Sequence, residues 1–164
     1  QEVTCDYRGR MYYAESFLEY QGSDMARSLF LFQEPLVVTE RGLHWMMIHA
    51  ANSYNQSYTI EQLGKETFIE TDYVKHLEQE GLETISLDKM TLKDRASWSQ
   101  HHMGWLISLG KNRTLCPEAE KPYAFLAVCI ELYNYHEAQN KGRLYQSQLP
   151  IPVDGSNNGD RLPL

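Results

Sequence analysis

Apolar residues recur along this chain mostly at helical spacing, and almost every such stretch opens on a capping residue. Ser23 or Asp24 precedes Met25, Leu29 and Phe32, and Pro35 ends that segment. Thr39 opens a longer run with Leu43, Met46, Met47 and Ala50 on one stripe. Thr59 and Gln62 have the spacing of a capping box, before Ile60 and Leu63. Val74 and Leu77 carry the apolar face into a second short helix. Thr91 with Asp94 opens a helix through Trp98, Trp105, Leu106 and Leu109, with Gly110 as its stop. Pro122 suits the first turn of a last helix, and Gly142 closes it. That helix is apolar nearly all round, so it is expected at the centre, with Leu126, Cys129, Ile130 and Tyr133 its most buried residues.

The pattern predicts an all-α fold, a compact bundle of about six helices over residues 1–145. Residues 146–164 form an extended, Pro/Gly-rich C-terminal tail. The run Leu36-Val37-Val38 is too short to found a sheet. Residues 11–20 read as a short aromatic-rich segment. In the tail, Leu149, Ile151 and Val153 alternate with prolines and can share one face of an extended strand. They are interface candidates, docking in an apolar groove. Tyr12, Tyr13, Tyr54 and Tyr58 lie near predicted helix ends and are the other candidates, because tyrosine is enriched at interfaces.

Composition adds charge to this picture. The 164 residues are 42% apolar and 23% charged, with a net charge of −7. Residues 58–95 carry five basic against nine acidic side chains. Glu61, Glu66, Glu70 and Asp72 form a candidate acidic face there. Such a balance argues against nucleic-acid binding, since phosphate neutralisation supplies most of that affinity. No run is long enough to insert in a membrane.

Chemistry is hard to place. His44 and His49 leave a helix on different faces, as do His101 and His102. No metal-ligand spacing and no cofactor motif is present, so neither a metal nor a cofactor is expected. Asp94 with His101 or His102 and Ser97 or Ser99 has the side chains of a hydrolase triad, but no nucleophile elbow. Three cysteines leave at least one free thiol and favour the cytoplasm. Two sequons, at Asn55 and Asn112, point instead to secretion.

Tyr58, Thr59, Ile60, Leu63, Lys65, Thr67, Ile69, Val74, Glu78, Glu80, Gly81 and Leu82 resemble the helix-turn-helix head of MerR-type regulators. The resemblance implies a DNA-reading helix starting near Glu70 and Asp72, where a phosphate contact would need a base. Glu40-Arg41-Gly42-Leu43, Asp94-Arg95 with Trp98, and Gly142-Arg143 are similar to cytosolic coupling subunits of type IVB secretion or conjugation systems. The expected function is therefore a helical protein–protein interaction or adaptor module without chemistry of its own, working with a protein partner or as a homo-oligomer. The alternatives are a helix-turn-helix regulator, an enzyme with a dispersed His/Asp site, and a soluble part of a secretion or conjugation machine.

Overall fold

A computed structural model describes residues 3–13 and 22–152. Seven α-helices occur among the described residues. They are α1 (Asp24–Ser28), α2 (Glu40–Tyr54), α3 (Ile60–Gly64), α4 (Thr71–Gln79), α5 (Leu92–His101), α6 (Met103–Asn112) and α7 (Pro122–Asn140). The expected caps hold four of them. Ser23, Thr39, Thr59 and Thr91 each accept a backbone N–H of the first turn, and Gln62 completes a capping box with Thr59.

The fold is mostly helical, but it is mixed rather than all-α. Among the described residues, six short strands pair antiparallel in three two-stranded ladders: β1 (Val3–Cys5) with β2 (Met11–Tyr13), β3 (Leu36–Val37) with β6 (Gln146–Ser147), and β4 (Ser57–Thr59) with β5 (Thr84–Ser86). Helical periodicity missed them because two or three residues cannot display a period of two. None of these ladders is long enough to found a layer.

The helix expected from Thr91 to Gly110 is two helices. His102, at φ −99 and ψ 12, ends α5 and starts α6. Gly110 does not stop α6, which runs on to Asn112 with Arg113 left-handed at φ 50. The glycine has a packing role instead. A Cβ there would lie 2.1 Å from the Cys129 carbonyl oxygen of α7, so the two backbones meet at that point.

The core gathers α2, α5, α6 and α7 around Trp98, Phe125, Leu106 and Leu132, with Leu63 and Leu87 beside them. Helix α7 is central, as expected, but its buried face is different. Phe125, Val128, Cys129, Leu132 and Tyr135 are inside, while Leu126, Ile130 and Tyr133 are only half-buried. An all-round apolar helix gives no stripe from which to read the facing side. The Asp24 side chain caps α7 from a distance, accepting the N–H groups of Tyr123 (2.8 Å) and Ala124 (3.2 Å). An acidic cap at a helix N-terminus contributes about 1 kcal/mol, and here it also fastens α1 to α7.

Candidate nucleic-acid interface

The turn between β1 and β2 is built by one carboxylate. Asp6 Oδ1 accepts the backbone N–H groups of Arg8 (2.8 Å) and Arg10 (3.0 Å). The Asp6 carbonyl accepts the N–H of Gly9 at 3.0 Å, and the Asp6 N–H donates to the Arg10 carbonyl at 2.9 Å. Gly9 sits at φ +77, where a Cβ would be strained. An aspartate bonded to its own following backbone forms a self-organised turn.

This turn presents three side chains to solvent. Tyr7 is 93% exposed, and Arg8 and Arg10 are exposed beside it. The Arg8 guanidinium lies 5.3 Å from the Tyr7 ring centroid, and its Nε is 3.4 Å from Asp6 Oδ2. Among the described residues, Arg10 makes no ion pair. Two guanidinium forks on a pre-ordered loop suit phosphate oxygens, and the Tyr7 ring face away from Arg8 offers a stacking surface for a base. The sequence reading passed over Arg8 and Arg10. The signal was available: a turn-forming Asp-Tyr-Arg-Gly-Arg between Val-Thr-Cys and Met-Tyr-Tyr has the grammar of a hairpin.

The other candidates fall elsewhere. Tyr54 is half-buried, stacked on Trp98 with centroids 5.1 Å apart and tilted against Phe125 at 5.3 Å. Tyr58 is half-buried too, and its hydroxyl accepts the Trp98 indole N–H at 2.9 Å. Tyr12 and Tyr13 lie in β2, paired with Thr4 and Val3. Leu149 and Ile151 line a depression of about 340 Å³ with Phe32, Gly42 and Trp45 on the same chain. Val153 lies outside the described residues. On the acidic stretch, Glu61 pairs with Lys65 at 3.2 Å and Glu70 pairs with Lys93. Glu66 is half-buried and Asp72 is exposed in the first turn of α4.

The side chains of a hydrolase do not come together. Asp94 is buried and bonded to Thr91 at 2.6 Å, as part of the cap of α5. His102 Nδ1 is 2.8 Å from the Trp98 carbonyl, His101 faces Thr67, and Ser99 donates to the Met47 carbonyl. Among the described residues, no three His, Cys, Asp or Glu side chains are grouped to hold a metal ion. All three cysteines are free thiols, Cys5 exposed and Cys116 and Cys129 buried. Asn55, first residue of one sequon, uses its side-chain amide on Glu120, and its side-chain oxygen accepts the Asp88 N–H at 3.0 Å.

The family model described as DNA-dependent RNA polymerase matches residues 37–160, about three quarters of the chain. The probable DNA-directed RNA polymerase of Neurospora crassa is 29% identical over 157 residues, a stretch covering 96% of this chain and 14% of that protein. T7 RNA polymerase of Escherichia phage T7 is 29% identical over 157 residues, covering 94% of this chain and 14% of the phage protein. The mitochondrial DNA-directed RNA polymerase of Neurospora crassa is 30% identical over 158 residues, covering 94% of this chain and 9% of that protein. The chain therefore spans about a seventh, or less, of the length of these relatives.

These matches overturn the expected adaptor without chemistry, the MerR-type regulator, and the exclusion of nucleic acid. The helix pair α3–α4 exists, with Ile60, Leu63, Ile69, Val74 and Leu77 buried, but packing two short helices through an apolar face is common to many folds. The charge argument failed because a net charge describes the average surface. Phosphate contacts need only a local group of cations, which an acidic chain can still carry. With its family model running through all four core helices, from α2 to α7, the chain belongs to the DNA-dependent RNA polymerases.

Proposed function

We propose that this chain is a working part of an RNA polymerase, and that the β1–β2 turn is one of its contacts with the nucleic-acid backbone. The family match carries the first half of this reading. The second half rests on Arg8 and Arg10, held ready by Asp6 and exposed beside Tyr7. Phosphate contacts fix register and orientation and carry no sequence information, so the turn serves every template alike.

In the polymerase carrying both Arg8→Ala and Arg10→Ala, nucleic-acid affinity should fall about tenfold at physiological salt. The slope of log K against log salt should become shallower by about two, one for each phosphate released. Filter binding across a salt series measures both. An unchanged slope would show that neither guanidinium meets phosphate.

No helix among the described residues is long and apolar enough to cross a membrane. The three free thiols support a reducing compartment, either the cytoplasm or an organelle interior such as the names of the mitochondrial and chloroplast relatives indicate.

A further inference from the structure

The β3–β6 ladder has only two residue pairs, Leu36 with Ser147 and Val37 with Gln146. Leu36 is 73% and Val37 44% exposed, so the β3 side chains offer little apolar contact to choose a register. Yet register matters here. A slip by one residue would turn Leu149 and Ile151 away from the core and bring Gln148 and Pro150 toward it.

A second element touches the strand. Glu131, on α7, accepts the Tyr145 hydroxyl and the Ser147 hydroxyl on the same oxygen, Oε2, each at 2.7 Å. Ser147 Oγ in turn accepts the Leu149 N–H at 3.1 Å. Residues 145 and 147 are two apart, so both hydroxyls leave the strand on one face. A carboxylate that bonds both at once fits one register and rejects its neighbours. Slipping the strand by one would set Leu144 and Gln146 opposite Glu131, and Leu144 has no hydrogen-bonding side chain.

We propose that Glu131 is a positioning residue that sets the register of the strap formed by residues 144–152. The two-pair ladder follows that choice rather than making it. This proposal does not depend on the nucleic-acid role of the β1–β2 turn.

The test is amide hydrogen exchange in the full chain, comparing wild type, Glu131→Ala and Glu131→Gln. The reporters are the N–H groups of Val38, which donates to the Tyr145 carbonyl, of Phe32, which donates to the Gln148 carbonyl, and of Leu149. Glu131→Ala should speed exchange at all three about tenfold or more, with the amides of α6 and α7 unchanged. Glu131→Gln keeps an oxygen acceptor, so exchange should return to within about threefold of wild type. Unchanged exchange at the three reporters in Glu131→Ala would overturn the proposal. So would equal acceleration throughout α6 and α7, or a glutamine variant as loose as the alanine one.

Discussion

Gly110→Ala should destabilise the protein by about 3 kcal/mol or more, a large fraction of the stability of a domain this size. The new Cβ would sit 2.1 Å from the Cys129 carbonyl oxygen, 2.5 Å from its carbon and 2.9 Å from the Ile130 nitrogen. All three are backbone atoms of α7, so no side chain can swing aside. Relief requires parting α6 from α7, which would open the contacts of Leu106, Val128 and Leu132 in the core. Gly104→Ala is the control on the same helix. Nothing lies within 4 Å of a Cβ there, so that change should be neutral or gain up to about 1 kcal/mol from helix propensity. Urea unfolding of the two variants measures the difference, and similar midpoints would disprove the close approach.

The second large effect is a dependence on pH from His49. This residue of α2 is only 7% exposed, and its pKa is lowered from 6.5 to about 4. Desolvation by burial is the main cause and the Lys121 charge adds to it, while Asp24 opposes both. The native protein therefore holds the ring neutral. Between pH 6.5 and 4 the unfolded chain binds a proton that the folded one rejects. The stability due to this group is complete above about pH 6.5 and is lost as pH falls toward 4, about 3 kcal/mol in all. His49→Gln should flatten that part of the stability profile. Parallel losses in wild type and variant across this range would show that the ring titrates normally.

How far the sequence revealed this molecule depended on the length of each signal. Thr39, Thr59 with Gln62, Thr91 and Pro122 marked helix starts correctly, because a cap is a local event settled within four residues. The junction at His102 was missed because no proline or glycine marks it. The buried face of α7 depends on where α1, α2 and α6 land, which local pattern cannot express. The β1–β2 turn was missed for another reason. An acidic total hides small groups of cations, and Arg8 and Arg10 are two residues in a chain that carries fifteen lysines and arginines. The family itself is spread thinly along the chain, at 29% identity with the phage protein, and no short motif read from one sequence announced it.

The long-range cap and the strap have a consequence for the order of folding. Asp24 meets Tyr123 across 99 residues, and Leu36 pairs with Ser147 across roughly 110. By contrast α6 and α7 are separated only by a short loop, and the Thr114 N–H already donates back to Leu109. Loop-closure entropy therefore favours the α6–α7 pair as the early structure and leaves α1 and β3 waiting. On a ribosome those segments emerge first and find their partners last. Through synthesis of the intervening hundred residues, the N–H groups of Phe32 and Val38 wait for the carbonyls of Gln148 and Tyr145, and a chaperone would have its longest opportunity to bind there.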